Sequence, residues 1–180
     1  MQDVFFIADL HFGHKAILKY ERRPFKDIDD MDNALVENWN SVVKDNDLVF
    51  LLGDVSLYNS AKTKELCQRL RGNVVLIKGN HDGHTDTTYR DSGISRIYDY
   101  PIIYDKFWML SHEPLYTNAN MPYANIFGHV HATKAYTHYS DQSFCVSVER
   151  INYTPIHFDQ IKSDVTKGNQ KHNELHTNVI

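Results

Sequence analysis

Residues 4–11 read VFFIADLH, an apolar run that ends directly in an aspartate and a histidine. A continuous apolar run of this length is typical of a strand that is buried on both faces. The same arrangement returns in LVFLLGD at residues 48–54 and in VVLIKGNHD at residues 74–82. The sequence therefore predicts buried strands that each carry polar side chains at the carboxyl end.

Helical patterns separate these runs. Between Met31 and Val42 apolar residues recur at helical spacing, behind an acidic cluster that begins at Asp27 and suits a helix N-terminus. A second helix is predicted to begin with Ser60 as its N-cap and to stop at Gly72. The first half of the chain thus alternates strands and helices, as an α/β fold does.

The second half of the chain is rich in strands. Strand-like runs with turn signals between them lie at residues 102–104, 107–110, 125–127 and 144–148. An α/β half followed by a β-rich half suggests two packed sheets with helices outside. We expect a single domain over residues 1–162 and a polar, loosely ordered tail over residues 163–180.

Charge and composition exclude several classes of partner. The net charge is −4, from 19 basic and 23 acidic residues, and no basic run predicts a strong footprint for duplex nucleic acid. No apolar run approaches the roughly 20 residues that a membrane span needs. Cys67 and Cys145 lack metal-ligand spacing and are typical of thiols in a reducing compartment. We therefore expect a cytoplasmic protein without a membrane partner, and the oligomeric state stays open.

Five strand ends carry residue types that bind metals. They are Asp9-Leu10-His11, Gly53-Asp54, Gly79-Asn80-His81-Asp82, Ser111-His112 and Gly128-His129-Val130-His131. Each motif alone is also an ordinary surface turn, but five in order favour one site at the carboxyl edge of the sheets. Residues two apart in an extended segment point to the same side, so Asp9 should converge with His11, and His129 with His131.

Together with FGH at residues 12–14 and RPF at residues 23–25, these motifs resemble those of calcineurin-like metallophosphoesterases, in particular small bacterial and phage members. The resemblance spans about residues 3 to 160. It implies a four-layer α/β/β/α sandwich of two mixed sheets flanked by helices, with a two-metal site at one edge. It also implies the ligands: Asp9, His11 and His131 for one metal, Asn80, His112 and His129 for the other, and Asp54 as the bridge.

The implied ligands are carboxylate oxygens and imidazole nitrogens without a thiolate, a set that suits transition metals more than Mg or Ca. We expect two divalent ions, Mn first, with Fe, Zn, Ni or Co as alternatives. The four positive charges of the two ions exceed the two negative charges of Asp9 and Asp54, so the site should attract phosphate. Two ions about 3.5–4 Å apart can clamp phosphoryl oxygens and supply hydroxide for in-line attack.

Several neighbours of these ligands are predicted to act on the substrate. His81 resembles the family histidine that faces the phosphate and is the predicted general acid, while Asp82 should orient its ring. Asn80 and His14 are predicted to touch the substrate beside His81. The alternative for His14 is a solvated residue at a helix start.

Other candidate residues have simpler interpretations. Tyr116 and Tyr123 could stack on a nucleobase or only pack their loop. The histidines predicted to be neither ligands nor catalytic groups are His84, His138, His157, His172 and His176.

The sequence therefore predicts a dinuclear metal-dependent phosphoesterase. Its expected substrates are phosphodiesters, either small or cyclic nucleotide-like molecules or the ends of nucleic acids. The diester preference is a family analogy, supported by His81 and by segments too short for a separate specificity domain. Two alternatives stay open: a phosphomonoesterase, and a catalytically silent interaction module of the same fold, which the complete ligand set disfavours.

Overall fold

The computed structural model describes residues 2–117, 121–134 and 142–166. The described strands are β1 (Val4–Ile7), β2 (Leu48–Leu51), β3 (Asn73–Ile77), β4 (Ile94–Tyr98), β5 (Ile102–Tyr104), β6 (Trp108–Leu110), β7 (Ala124–Phe127), β8 (Ser143–Cys145) and β9 (Ile156–His157). The described helices are α1 (Ile17–Tyr20), α2 (Ile28–Val42), α3 (Ser60–Cys67), α4 (Asp86–Asp91) and α5 (158–166), with a short 3-10 helix at Val148–Arg150.

The strands form two mixed sheets. The five-stranded sheet has the order β4-β3-β2-β1-β9, in which β9 runs antiparallel to β1, and the four-stranded sheet has the order β5-β6-β7-β8, in which β5 runs antiparallel to β6. Ile7 pairs with Leu51 and Leu51 with Leu76, so β1, β2 and β3 end at the same edge. The predicted fold of two mixed sheets flanked by helices is confirmed.

The five-stranded sheet is buried on both faces, as its apolar runs predict. On one face Phe5 and Ile7 pack in a core shared with α2, α3 and α4. On the other face Phe6 and Ala8 pack in a core shared with the four-stranded sheet. Helix α5 adds Ile161 to this second core. The alternation along β1 therefore builds two cores from one strand.

Helix boundaries depend on caps that the sequence specifies only in part. Asp27 is the N-cap of α2, as predicted, and its carboxylate accepts the N–H of Asp30. The predicted boundaries of the second helix are wrong: Asn59, not Ser60, caps α3, and the helix ends before Gly72. Gly72 instead adopts a φ of 92° in the turn before β3.

The region after β9 also differs from the prediction. Residues 163–166, assigned to the tail, lie in α5, and Val165 is 7% exposed in the core between the sheets. The remainder of the predicted tail, residues 167–180, lies outside the described residues. Among the described helices none has the length and apolar character needed to cross a bilayer.

Candidate functional site

Polar side chains that follow β1, β2, β3, β6 and β7 meet at one edge of the two sheets. The structure brings together every predicted metal ligand: Asp9, His11, Asp54, Asn80, His112, His129 and His131. The buried side of this cluster is formed by Asp9, His11, Asp54 and His112, and its other side is open to solvent.

One half of the cluster consists of Asp9, His11 and His131. One ligand atom from each lies within 4.8 Å of the other two, and the His11 and His131 rings stack with centroids 5.1 Å apart. Among the described residues, neither ring nitrogen of His11 has a hydrogen-bond partner, although both are buried. Because an unsatisfied buried nitrogen is costly, this half fits a metal ion that would accept the lone pair.

The other half consists of Asn80, His112 and His129. Asn80 Oδ1 lies 3.0 Å from His112 Nε2 and 3.0 Å from His129 Nδ1, and the two nitrogens are 3.1 Å apart. The His112 ring presents its Nδ1 to the Leu52 carbonyl at 2.8 Å. An Nδ1–H that donates there leaves the Nε2 lone pair for a metal.

Asp54 lies between the two halves. Its Oδ2 atom is 3.3 Å from His11 Nε2 and 3.4 Å from His112 Nε2. Its Oδ1 atom accepts the backbone N–H of His81 at 2.9 Å. The carboxylate therefore contacts both groups of potential ligands.

The ionisable groups of the cluster perturb one another. Burial would raise the pKa of Asp54, but the hydrogen bond and charge of His112 and the N–H of His81 hold this pKa at about 2. Burial would lower the pKa of His112, yet its hydrogen bond to Asp54 and the charge of Asp9 raise it to about 9. Burial raises the pKa of Asp9 to about 6 and lowers that of His11 to about 3. Such perturbation in one cluster is typical of functional sites.

The backbone of the ligand segments is left-handed. Asp9, His11, Asp54, His129 and His131 have φ between 46° and 70°. The structure brings Asp9 and His11 together, and it places His131 with them but His129 with Asn80 and His112. The predicted cause of convergence, an extended segment, is wrong. Turns after the strands aim these side chains, and such strained residues concentrate at functional sites.

Two glycines allow the strand ends to approach closely. A Cβ atom at Gly79 would lie 2.7 Å from His112 Cε1, and one at Gly128 would lie 2.9 Å from Asp9 Oδ2. Both distances are shorter than real Cβ contacts, so any side chain at these positions would displace a predicted ligand. The glycine before each polar residue is therefore a requirement of the site.

Asp82 is engaged differently from the prediction. Its carboxylate accepts the backbone N–H groups of Asp54, Val55 and Gly79 at 2.8–2.9 Å, and the Tyr89 hydroxyl at 2.7 Å. These four donors occupy the carboxylate that was expected to orient the His81 ring. Through these hydrogen bonds Asp82 connects the turn after β2 to the turn after β3.

His81 and His14 lie beside the first half of the cluster. The His81 side chain is exposed, with its ring centroid 5.4 Å from that of His11. The His14 centroid is 5.3 Å from that of His11 and 6.4 Å from that of His81. Both rings therefore stand where a molecule approaching from solvent would meet them.

The remaining candidates do not join the cluster, as far as the described residues show. Tyr116 is 72% exposed, and Tyr123 is half-buried. His84 lies against Thr63, with Nε2 3.1 Å from its hydroxyl. His157 lies in β9. His138, His172 and His176 lie outside the described residues.

Sequence reasoning missed three residues that contact the ligand segments. The Arg23 guanidinium donates to the Asp9 carbonyl at 2.7 Å and pairs with Glu149. Glu149 Oε1 lies 3.1 Å from His131 Nδ1, and Arg150 donates to the His131 carbonyl. The RPF stretch was the only signal for Arg23, and nothing in the sequence marked the other two.

The whole chain is similar to known proteins. The sequence model of the family described as calcineurin-like phosphoesterase matches residues 3–177. An uncharacterized protein of Methanocaldococcus jannaschii is 38% identical over 176 residues, which cover 93% of this chain and 94% of that protein. The gene 66 protein of Mycobacterium phage L5 is 38% identical over 89 residues, 46% of this chain and 41% of the phage protein.

Two solved structures share the fold. A protein of unknown function from Aquifex aeolicus superposes with a TM-score of 0.73 at 24% identity, covering 91% of this chain and 99% of that one. The Pseudomonas putida nuclease MPE superposes with a TM-score of 0.50 at 23% identity, covering 71% of this chain and 61% of the nuclease. These two likenesses establish the architecture.

Proposed function

Since this chain belongs to the calcineurin-like phosphoesterase family, we propose that it hydrolyses phosphodiesters at a centre of two divalent metal ions. The observation that carries the proposal is the position of Asp54 Oδ2, 3.3 Å from His11 and 3.4 Å from His112. A carboxylate oxygen with an imidazole nitrogen on either side suits a ligand that two ions share.

The donor set supports this assignment. Asp9, His11 and His131 would hold one ion, Asn80, His112 and His129 the other, and Asp54 would bridge them. Oxygen and imidazole donors without a thiolate favour manganese as the first candidate, with iron, zinc, nickel or cobalt as alternatives. When bound, the two ions would hold the phosphate oxygens and activate a water molecule for attack on phosphorus.

The residues on the open side have separate tasks in this proposal. His81 would give its proton to the leaving oxygen, because an alkoxide is too basic to leave unaided. His14 and Asn80 would orient the phosphate. The backbone N–H of His81 donates to Asp54 at 2.9 Å, so the general acid is tied to the bridging ligand.

Two observations favour diesters over monoesters. The exposed Asn80, His81 and His129 leave the cluster accessible to a substrate that extends beyond its phosphate. One protein of this architecture is a nuclease, and nucleases cleave phosphodiesters. We therefore propose small or cyclic nucleotide-like diesters, or the ends of nucleic acids, as the substrate class.

The experiment is a comparison of two nitrophenyl substrates. Protein freed of metal with a chelator would be reloaded separately with manganese, iron, zinc, nickel and cobalt. For each metal, kcat/KM would be measured for bis(p-nitrophenyl) phosphate and for p-nitrophenyl phosphate. We expect metal-dependent hydrolysis with a higher kcat/KM for the diester, and none in Asp54→Ala. Preference for the monoester would make the protein a phosphomonoesterase. No turnover with any metal would favour a silent interaction module.

A further inference from the structure

A buried ion pair lies directly behind one half of the candidate metal centre. Arg23, in the loop between α1 and α2, and Glu149, in the 3-10 helix, have a nitrogen and an oxygen 2.7 Å apart. Their side chains are 0% and 4% exposed. Neither residue has a task in the proposed reaction, although burying two charges is costly unless they make further hydrogen bonds.

Those further hydrogen bonds go to the segment that follows β1. Arg23 donates through Nη2 to the Asp9 carbonyl at 2.7 Å and through Nη1 to the Leu10 carbonyl at 2.9 Å. Asp9 and His11 both have a left-handed backbone, which costs free energy unless the surroundings hold it. The planar guanidinium reaches both carbonyls and Glu149 at once, which a lysine ammonium cannot do with the same geometry.

The other end of the ion pair reaches His131. Glu149 Oε1 lies 3.1 Å from His131 Nδ1, so an Nδ1–H donated to the carboxylate leaves Nε2 with its lone pair free. The next residue, Arg150, donates to the carbonyls of His131 and Thr133. The 3-10 helix therefore fixes both the ring and the backbone of His131.

We propose that Arg23 and Glu149 are positioning residues that assemble the half of the metal centre formed by Asp9, His11 and His131. Arg23 holds the backbone that carries the first two ligands, and Glu149 sets the tautomer and orientation of the third. The ion pair thus connects segments more than 100 positions apart in the chain, 9–11 and 129–131. This inference rests on the proposed metal centre, but not on the identity of its substrate.

The test compares metal affinity and ring tautomer in matched variants. Glu149→Ala removes the acceptor, and Glu149→Gln keeps an acceptor oxygen. Asp47→Ala is the control, because Asp47 is also a buried carboxylate that accepts two backbone N–H groups, but it precedes β2 at the end opposite Asp54. Manganese binding would be followed by titration calorimetry, and the His131 ring in metal-free protein by nitrogen-15 NMR at alkaline pH.

We expect Glu149→Ala to lose roughly 10–100-fold in affinity for one of two manganese ions, as is usual when the partner of a ligating histidine is removed. The His131 ring should move from the Nδ1–H towards the Nε2–H tautomer. Glu149→Gln should restore most of both properties, and Asp47→Ala should change stability alone. If Glu149→Ala does not fold, Arg23→Lys is the second variant, because it retains the charge. It should fold and show the same loss of affinity for one of the two manganese ions.

Unchanged manganese affinity and an unchanged His131 tautomer in Glu149→Ala would overturn the proposal, and so would unchanged manganese affinity in Arg23→Lys. So would an equal loss of affinity in Asp47→Ala, because the effect would then be a general consequence of lower stability. A wild-type protein that binds manganese but hydrolyses no phosphate ester would contradict the proposed function and leave this comparison intact.

Discussion

Asp54 Oδ2 lies 3.4 Å from Nε2 of His112, although the two residues follow strands of different sheets. The same oxygen lies 3.3 Å from His11 Nε2. One carboxylate thus joins the end of the five-stranded sheet to the end of the four-stranded sheet. A metal centre built on this contact would depend on the packing of both sheets.

The two histidines of the Gly-His-x-His motif should serve different ions. His131→Ala should release the ion held with Asp9 and His11, while His129→Ala should release the ion held with Asn80 and His112. Each variant should keep about one equivalent of manganese, measured by elemental analysis after gel filtration. A crystal structure with both histidines on one ion would contradict this division.

His81→Ala should keep both ions and lose activity according to the leaving group. General acids contribute about 10²–10⁴-fold, and a nitrophenolate leaves without much help. The variant should therefore lose kcat/KM heavily for nucleoside diesters and much less for bis(p-nitrophenyl) phosphate. Equal losses at matched metal loading would assign His81 to phosphate binding, and loss of an ion would make it a ligand.

Manganese affinity should increase with pH. Neighbouring carboxylates raise the pKa of His112 to about 9 in the metal-free protein, so at neutral pH this ring carries a proton that a metal ion must displace. Below that pKa the apparent affinity should fall by up to about tenfold per pH unit for this one proton. Calorimetry in buffers of different ionisation enthalpy should detect proton release at neutral pH. Binding without proton release would contradict the assignment of His112 as a ligand.

Asp82→Asn should have a larger effect on the free energy of unfolding than on kcat. The carboxylate accepts three backbone N–H groups and the Tyr89 hydroxyl, and an amide can satisfy fewer of these donors. Leaving one buried donor unsatisfied costs roughly 1–3 kcal/mol, so urea unfolding should show a loss of that order. Tyr89→Phe is the matched variant that removes one donor. A large loss of kcat in Asp82→Asn with unchanged stability would instead support a role for Asp82 in catalysis.

The sequence was sufficient for the parts of the fold that rest on local pattern. The apolar runs at residues 4–8 and 48–52 specify strands, and Asp27 specifies the start of α2. Strands β4 and β9 were missed because neither has a continuous apolar run, and β4 becomes a strand by pairing with β3. Helix α5 was missed because its few apolar residues are buried in the core between the two sheets, and that burial arises from tertiary packing.

The candidate site also contains residues that the sequence predicts and residues that it does not. Asp9, Asp54 and His112 were predictable because each lies two or three residues after the end of an apolar strand. Arg23 and Glu149 were not, because their contacts to the ligand segments arise from tertiary packing between distant parts of the chain. The left-handed turns were also beyond prediction, since a non-glycine residue adopts such a conformation only when surrounding structure imposes it.

The most direct test of the dinuclear centre is an anomalous difference map from crystals of the manganese-loaded protein. The account predicts two manganese peaks about 3.5–4 Å apart, with Asp54 in contact with both. One peak should lie beside His11 and His131, and the other beside Asn80 and His112. A single peak at full occupancy, or two peaks of which only one touches Asp54, would contradict it.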